Sequence, residues 1–299
     1  MHDRGIPDWG RKPGLDPLED AVRWDPLRHG VDSEVWRVVL SSGETLIAKR
    51  ATGFEARESA VYHGLLEPLG VRHAMVYAAW RDDKAEILLI EDMGSETVES
   101  GPTALRYAEA GRFLADMRRK AAASLHVLPP AVRDAYYQSA DNYLGSVQRV
   151  LQVASLDPPQ RLALTRLRDT LPCCLERLYA TACISLTHND FNGKNLVVGS
   201  GGVAAIDWSH AELTPHLGDL YGLLKDAARH GVKEQDVVSA YLAGDPIAES
   251  AWHIDVGGLL WLTRGLRWAW EARGRVDGIR RLTGSLIRAI TEGLDRIEE

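Results

Sequence analysis

The chain has 299 residues, of which 45% are hydrophobic and 26% charged, and its formal net charge is −7. These values are typical of a soluble globular protein that forms one large domain or two smaller lobes. The acid excess argues against a protein that binds nucleic acid through phosphate contacts, because such a protein carries a basic stripe. No apolar run approaches the roughly 20 residues of a membrane-spanning helix, and the polar, Gly- and Pro-rich N-terminus is not typical of a signal peptide. We therefore expect a cytoplasmic protein with no nucleic-acid partner and no membrane partner.

The first third of the chain is predicted to form a small sheet with one helix. Four prolines break the first 30 or so residues, which favours an irregular or partly helical lead-in. Runs rich in β-branched and aromatic residues then predict four strands, the first two joined as a hairpin. Between the two strand pairs, apolar residues at helical spacing predict one helix. The strands are expected at 34–40, 45–49, 76–80 and 87–90, and the helix at 56–66.

The rest of the chain is predicted to be mainly helical. Residues 91–95 interrupt the pattern and form a candidate linker between the two parts. A strongly amphipathic helix follows at 103–124. The further expected elements are two or three helices within 131–153 and 159–182, a short strand at 184–186, a hairpin of 196–198 with 203–206, and helices from about 217 to the end.

The segment with the strongest chemical signal is HNDFNGKN at 188–195, and Asp207 follows its last residue, Asn195, after a short predicted hairpin. Together with Asp190 these residues supply two carboxylates and an amide, which a loop can bring into one small volume. Phosphoryl transfer needs this set. One carboxylate orients the attacking hydroxyl and accepts its proton, while the second carboxylate and the amide oxygen hold magnesium against the nucleotide phosphates.

This pattern resembles the catalytic and metal-binding loops of the aminoglycoside phosphotransferase family, a branch of the protein-kinase-like superfamily. The family pattern is HGDxxxxN, then a strand hairpin, then an Asp. The chain matches the pattern at His188, Asp190, Asn195 and Asp207. It departs at Asn189, where glycine is more common, although Asn tolerates unusual backbone angles better than most residues.

The resemblance covers about residues 28–230 and implies an α+β, protein-kinase-like fold with two lobes. The N-terminal lobe, residues 1–93, would hold the small sheet, its one helix and the nucleotide site. The C-terminal lobe, residues 94–299, would be mainly helical and hold the catalytic loop and the acceptor site. The implied activity uses ATP and Mg²⁺ and transfers the γ-phosphate to a hydroxyl group of a small molecule.

Two residues of the N-terminal lobe would hold the nucleotide phosphates in such a fold. Lys49 ends the strand 45–49, where the resemblance implies a lysine that contacts the α and β phosphates. A helix acid must orient this lysine, and Glu58 fits the family's helix pattern. Glu55, nearer the start of the helix, is the weaker candidate. We therefore expect an ion pair between Lys49 and Glu58.

A turn and a hinge would complete the nucleotide site. Ser33 lies in the segment 30–36, where the fold has a turn over the phosphates, here with a single glycine. The segment from Leu89 to Met93 resembles the hinge. Backbone groups from Glu91 to Met93 are therefore expected to hydrogen-bond the adenine.

The resemblance also implies a role for each matched residue of the catalytic loop. Asp190 would be the base or hydroxyl-positioning group, and Asn195 with Asp207 would bind Mg²⁺. His188 would brace the two loops rather than transfer a proton. Lys194 carries a hypothesis of our own: it follows Asp190 by four residues in a chain with seven lysines, and we expect it to neutralise the γ-phosphate in the transition state. The alternative is a solvated loop lysine.

Aromatic and charged residues near the second motif are candidates for acceptor binding. Trp208, His210 and Glu212 come directly after the expected metal ligand and are predicted to border the acceptor. Further on, Trp268 and Glu271 lie in the predicted C-terminal helices, where a ring and an acid would stack on and hydrogen-bond a sugar or another ring system. The alternative is that most of these tryptophans fill the core.

Three functions stay open at this point. The first is an O-phosphotransferase acting on an antibiotic or a related natural product, in resistance or self-protection. The second is a metabolic kinase for choline, homoserine or a sugar. The third is a catalytically silent nucleotide-binding module, against which the complete Lys, Glu, Asp, Asn and Asp set argues. In each case we expect a monomer or a homodimer.

The distribution of charge bears on the acceptor. Residues 1–93 contain 12 basic and 17 acidic residues, a net charge of −5, whereas residues 94–299 contain 23 and 25, a net charge of −2. The lobe expected to bind the acceptor is therefore close to neutral. It also has a locally basic stretch near its end, made by Arg264, Arg267, Arg273, Arg275, Arg280 and Arg281. This distribution favours an acceptor that is less cationic than a polycationic aminoglycoside.

Overall fold

The computed structural model describes residues 7–30, 32–152, 156–271 and 279–298. Its N-terminal part is a five-stranded antiparallel sheet in the order β1-β2-β3-β5-β4. The lead-in packs Trp9, Leu15 and Leu18 into a core with side chains of this sheet. The strands are β1 (Ala21–His29), β2 (Ser33–Leu40), β3 (Thr45–Thr52), β4 (Val76–Arg81) and β5 (Ala85–Glu91).

Strand β1 corrects the expectation for the lead-in. Two short 3-10 turns agree with a partly helical segment, but the residues that follow form a strand paired with β2. Pro26 is accommodated because β1 is an edge strand, and the pairing shifts register between Pro26 and Arg28. A proline on an edge removes no hydrogen bond that a further strand would need.

The helix of this lobe begins at Glu58, within the predicted range. One α-helical turn, α1 (Glu58–Val61), continues as a π-helical turn over Tyr62–Leu66. Tyr62, Leu65 and Leu66 are completely buried. Their burial anchors the helix and sets Glu58 at its start, facing the sheet.

The C-terminal part is mainly helical, as predicted, and the protein-kinase-like α+β architecture is confirmed. The described helices are α2 (Ala104–Ser124), α3 (Pro130–Tyr136), α4 (Ala140–Gln152), α5 (Pro158–Thr181), α6 (Gly218–Arg229), α7 (Glu234–Leu242), α8 (Ser250–Glu271) and α9 (Ile279–Glu298). Within the described ranges, no helix is long and apolar enough to cross a membrane. Of the basic stretch near the C-terminus, Arg273 and Arg275 lie outside the described residues, as does the side chain of Arg280.

Two small antiparallel sheets position the loops that matter for function. The loop 188–195 connects one strand of each sheet, and the segment 206–211 connects their other two strands. Each loop is therefore held at both ends by backbone pairing. The strands are β6 (Ser185–Thr187) with β9 (Glu212–Thr214), and β7 (Leu196–Gly199) with β8 (Gly202–Ala205).

One apolar core is shared by the two lobes. Leu65 and Leu88 of the N-terminal lobe belong to the same buried cluster as Phe191, Trp208 and Leu220 of the C-terminal lobe. Since Phe191 and Trp208 lie in the two loops, this core fixes the loops against the sheet. A second core forms between α4, α5, α8 and α9.

Close packing of α8 against the start of α6 yields a stability prediction. A Cβ added at Gly257 would lie 2.7 Å from the carbonyl carbon of Leu217 and 2.8 Å from the nitrogen of Gly218. We expect Gly257→Ala to lower the free energy of unfolding by about 1–3 kcal/mol, because backbone cannot move aside as a side chain can. Urea unfolding followed by circular dichroism measures the change.

Gly284 on α9 is the matched control. A Cβ added there meets no atom within 4 Å, so Gly284→Ala is expected to raise the free energy of unfolding by about 0.5–1 kcal/mol through helix propensity. Equal effects of the two substitutions would contradict the packing described for α8 and α6.

Candidate active site

Lys49 is the centre of the site. Strand β3 buries its side chain, and its Nζ lies 2.6 Å from Glu58 Oε2 and 2.5 Å from Asp207 Oδ1. Glu58 Oε1 in turn accepts the backbone N–H of Trp208 at 2.8 Å. The expected Lys49–Glu58 ion pair is therefore present, and the same acid also holds the segment that carries Asp207. Glu55 lies outside this pair, in a 3-10 turn ahead of α1.

The electrostatics of these groups follow from one buried ammonium placed between two carboxylates. Burial opposes the charge of Lys49, but Asp207 and Glu58 outweigh it and raise the pKa of Lys49 far above its usual value. Burial would likewise raise the pKa of Asp207, yet Lys49 outweighs it and holds that pKa well below the usual range. Glu58 is the opposite case, because burial raises its pKa despite the adjacent lysine. Lys49 and Asp207 are therefore both charged at neutral pH.

A buried carboxylate fixes the start of the catalytic loop. Asp219, near the start of α6, accepts the backbone N–H groups of His188 at 2.6 Å and of Asn189 at 2.7 Å. His188 Nδ1 accepts the N–H of Asp190 at 3.2 Å, and Nε2 therefore carries the proton and donates to the carbonyl of Ile206 at 2.9 Å. Both ring nitrogens join the two loops, so His188 acts as the expected brace.

A second buried carboxylate, which the sequence did not single out as a brace, supports the middle of the same loop. Asp226 Oδ2 accepts the N–H of Gly193 and the hydroxyl of Tyr107, each at 2.8 Å. A Cβ at Gly193 would lie 2.7 Å from that oxygen. The close approach explains why glycine occupies this position.

Asp190 is held by three neighbouring side chains of the loop. Its Oδ1 accepts from Asn192 Nδ2 at 2.8 Å, and its Oδ2 accepts from Asn195 Nδ2 at 2.7 Å. Lys194 Nζ lies 3.2 Å from the same Oδ2. The amide nitrogen of Asn195 points to Asp190. The amide oxygen of the same side chain is therefore the atom that could coordinate a metal ion. Asp190 is thus oriented before any acceptor binds.

A cleft of about 610 Å³ lies between the sheet and the catalytic loop. Lys49, Asn195 and Asp207 line it together with Glu91 and Met93 of the expected hinge. This mixture of charged and apolar lining suits a planar base that carries a charged tail. The apolar side chains of its walls are Leu27, Val35, Ile47, Ile90, Val197 and Ile206.

The two strand ends that flank the connection between β1 and β2 contribute to the cleft differently from what the sequence predicts. Ser33 is buried, its carbonyl accepts the N–H of Gly30 at 2.7 Å, and it is not among the residues that line the cleft. Arg28 lines the cleft instead, with its Nη1 3.4 Å from Asp207 Oδ2. Sequence reasoning missed Arg28 because it lies in the proline-containing strand that was expected to be irregular.

The oxygen donors of this cleft fit a magnesium ion. Mg²⁺ prefers a few hard oxygen ligands and retains several of its waters. Asp207 and Asn195, which carry a carboxylate and an amide oxygen, both line the cleft beside the cationic Lys49. Asp207 Oδ2 has a long contact to Arg28, and that contact can be exchanged for a cation.

Two further cavities adjoin the catalytic loop. The first cavity, of about 290 Å³, is lined by Asp190, Lys194 and Asp207. The second cavity, of about 230 Å³, is lined by Glu212 and Glu271 among others. Since the two cavities share four lining residues, they lie next to each other, and the cavity of about 290 Å³ is the one that includes Asp190. The shared residues are Glu55, His210, Arg264 and Trp268.

Trp208 lines neither cavity, which corrects its expected role as an acceptor contact. It is completely buried, its indole N–H donates to the carbonyl of Ala205 at 3.0 Å, and its ring packs 4.6 Å from that of His188. Trp208 therefore anchors the segment after Asp207 in the core. Trp268, by contrast, is 43% exposed and lines both cavities.

Asn189 connects the catalytic loop to residues that line the two cavities. Its backbone is left-handed, with φ 67°, a conformation in which glycine is unstrained and Asn is tolerated. Its side-chain nitrogen donates to the carbonyl of His210 at 3.0 Å and to Glu212 Oε2 at 3.1 Å. Arg264 Nε lies 3.3 Å from the same Glu212 oxygen. An asparagine where the family favours glycine thus positions Glu212, which lines the cavity of about 230 Å³.

The wall opposite α8 comes from the turn before α1, which sequence reasoning also missed. Phe54, 52% exposed, stacks on His210 with ring centroids 5.4 Å apart. Burial and the nearby Arg264 lower the pKa of His210 to about 4, so this ring is neutral at neutral pH. The sequence feature that could have indicated this wall is Gly53 followed by the aromatic Phe54 just ahead of α1.

Residues 23–252 match the family model described as the phosphotransferase enzyme family, APH. The chain belongs to this family. As an APH-family phosphotransferase it is a small-molecule kinase that acts on a hydroxyl group, and the resemblance found in the catalytic motif is confirmed. No curated protein matches its sequence.

Solved structures share the whole fold of this APH-family chain at low sequence identity. A thermostable mutant of the aminoglycoside phosphotransferase APH(4)-Ia has a TM-score of 0.68 at 12% identity, covering 94% of this chain and 97% of that one. Choline kinase LicA from Streptococcus pneumoniae has a TM-score of 0.67 at 15% identity, covering 94% and 96%. The amicoumacin kinase hAmiN, in complex with AMP-PNP, Ca²⁺ and Ami, has a TM-score of 0.65 at 14% identity, covering 93% and 92%.

Proposed function

We propose that this protein transfers the γ-phosphate of ATP to a hydroxyl group of an antibiotic or a related natural product, with Mg²⁺ held by Asn195 and Asp207. The observation that carries the proposal is that two spaces, the nucleotide cleft and the cavity beside Asp190, meet at one pair of carboxylates. Asp207 lines both the nucleotide cleft and the first cavity, which we assign to the acceptor and call the first acceptor cavity. Asp190 also lines the first acceptor cavity. The second cavity is likewise called the second acceptor cavity. A reaction between a nucleotide and a hydroxyl compound is what this arrangement allows.

The nucleotide assignment rests on the chemistry of the cleft and on one relative. Lys49 presents a buried ammonium, held by Glu58, to a cleft whose apolar walls lead to the hinge residues. The structurally similar amicoumacin kinase was solved with AMP-PNP and a divalent cation. We therefore assign Lys49 to the α and β phosphates and the backbone from Glu91 to Met93 to the adenine.

In the proposed reaction the γ-phosphorus–oxygen bond to ADP breaks as a bond to the acceptor oxygen forms. Asp190, fixed by Asn192 and Asn195, orients the acceptor hydroxyl and takes its proton. A bound Mg²⁺ would neutralise charge on the phosphates. Lys194 lines both the nucleotide cleft and the first acceptor cavity, which places its ammonium where negative charge develops on the transferred group.

The two alternatives have less support. A choline-type acceptor calls for several carboxylates that are free to face a cation, whereas Glu212 is paired with Arg264 and Glu271 with Arg267. These pairs leave Glu55 as the one glutamate of the two cavities without an ion pair among the described residues. A catalytically silent module has no need for a carboxylate oriented as Asp190 is. We place the reaction in the cytoplasm, where ATP is available, and expect a monomer or a homodimer.

The substitution Asp190→Asn tests the proposed function. In a panel of hydroxyl-bearing antibiotics and metabolites, the wild-type protein should form ADP in an acceptor-dependent manner, with one phosphate added to the acceptor by mass spectrometry. Asp190→Asn should lower kcat by about 10²- to 10⁴-fold, because the hydroxyl loses its base. Binding of Mg-ADP, measured by calorimetry, should be unchanged.

Asp116→Asn is the control, because Asp116 lies on α2 with a side chain that is 44% exposed and pairs with Arg119 and Lys120. This substitution should leave both kcat and the binding of Mg-ADP unchanged. Full activity of Asp190→Asn would contradict the assigned role. A wild-type protein that binds Mg-ADP but transfers phosphate to no acceptor would favour the silent module.

Lys194→Ala tests the charge-neutralising role of this lysine. We expect kcat to fall by about tenfold or more with little change in the KM for ATP, because the ammonium acts on charge that develops in the transition state. Lys225→Ala removes an exposed lysine that pairs with Glu234 at 3.0 Å and should have no effect. A kcat for Lys194→Ala within a factor of two of the wild type would overturn the hypothesis.

A further inference from the structure

The second acceptor cavity contains a cation without a carboxylate partner. Arg57 lines this cavity, and no carboxylate of the described residues lies within 4.0 Å of its guanidinium. Its Nη2 donates to the carbonyl of Ala211 at 3.0 Å. Its guanidinium also lies over two rings, 4.6 Å from the centroid of Tyr136 and 5.0 Å from that of Phe54.

The contacts around Arg57 hold the guanidinium in place without neutralising it. Burial lowers the pKa of Arg57, and Tyr136 and Glu212 offset this in part. Arginine nevertheless stays protonated at neutral pH. A half-buried charge that its surroundings do not pair is the kind of group that a ligand of opposite charge compensates.

The other arginines of the cavity are already neutralised. Arg264 lies 3.3 Å from Glu212 and Arg267 lies 2.8 Å from Glu271. Those carboxylates are therefore not free for an amino group of the acceptor, and the paired arginines are not free for an anion. Arg57 does not line the nucleotide cleft, so the nucleotide phosphates are not its counter-charge.

From these observations we infer that the acceptor carries a carboxylate, which Arg57 binds in the second cavity while the hydroxyl to be phosphorylated lies beside Asp190 in the first. The inference rests on the proposed function and narrows its substrate class. The planar fork of arginine matches a carboxylate through two parallel hydrogen bonds. A carboxylate carries one charge, as the guanidinium does, whereas a doubly charged phosphate would place a second negative charge near Glu55, which lines the same cavity.

The rest of the cavity suits a ring attached to that carboxylate. Phe54 and Trp268 are exposed to 52% and 43% and both line the cavity. Exposed aromatic faces stack on ring systems of a ligand. We therefore expect a ring-bearing hydroxy acid, with the aromatic pair holding its ring and Arg57 its carboxylate.

Calorimetric titration of the full chain with two isosteric probes tests the inference. Phenylacetate and phenylacetamide differ in charge but not in ring or length. With Mg-ADP present, phenylacetate should bind the wild type at least about tenfold more tightly than phenylacetamide, as expected for a charge-assisted pair. Arg57→Gln should remove this preference, and Arg57→Lys, which keeps the charge but loses the fork, should leave an intermediate preference.

Arg177→Gln is the matched control, because Arg177 also stacks on an aromatic ring, 4.1 Å from Trp252, but is paired with Glu249. It should keep the full preference. Thermal unfolding shows whether Arg57→Gln is folded, and if it is not, the comparison of Arg57→Lys with the wild type decides. Equal binding of the two probes, no binding of phenylacetate, or an unchanged preference in the Arg57 variants would overturn the inference.

A titration with Mg-ADP alone separates this inference from the proposed function. Failure to bind Mg-ADP, together with an Arg57-dependent preference for phenylacetate, would refute the phosphotransferase proposal and leave the carboxylate site standing. Normal Mg-ADP binding without that preference would refute the carboxylate site alone.

Discussion

The buried ammonium of Lys49 is the interaction on which the site depends. It lies between Glu58 and Asp207, which come from the helix after β3 and from the loop after β8. The three side chains therefore connect the sheet, its helix and the catalytic lobe at one point. A buried ion pair adds little net stability, but removing one partner costs about 3–5 kcal/mol because a charge is left unpaired. The value of this arrangement is thus in holding Asp207 at a fixed position.

The catalytic loop is held by the same principle, applied to backbone groups. Asp219 accepts two N–H groups at the start of the loop and Asp226 accepts one in its middle. His188 joins this loop to the one that carries Asp207. On the acceptor side, Asn189 extends the network to Glu212. These hydrogen bonds satisfy polar groups that would be costly to bury unpaired, and together they hold the loop around Asp190 in a fixed conformation.

The residues that perform the proposed chemistry could be recognised from sequence, because phosphoryl transfer requires particular side chains in a particular order. Asp190, Asn195 and Asp207 follow that order, and Lys49 and Glu58 stand on the elements predicted for them. The burial of an aromatic residue, in contrast, depends on tertiary packing. Trp208 and Trp268 look alike in the sequence, yet one is in the core and the other lines a cavity.

Strand β1, Arg28 and Arg57 could not be predicted because the sequence around them favours a different interpretation. Pro26 obscured strand β1 and with it Arg28, since a proline disfavours a strand except at a sheet edge. Arg57 precedes a helix and looks like a surface arginine. Its role is visible only once Tyr136 and Ala211 are seen to hold it against the cavity.

In the proposed function, Lys49 and Glu58 hold Asp207 as a ligand for a metal that carries the nucleotide. Calorimetric titration of ADP with and without Mg²⁺, on the wild type and on Asp207→Asn, tests this role most directly. Mg²⁺ should tighten ADP binding to the wild type by about tenfold or more and have little effect on the variant, which loses a metal ligand. The variant should still bind metal-free ADP. An Mg²⁺ dependence that is equal in the two proteins would contradict this role of Asp207.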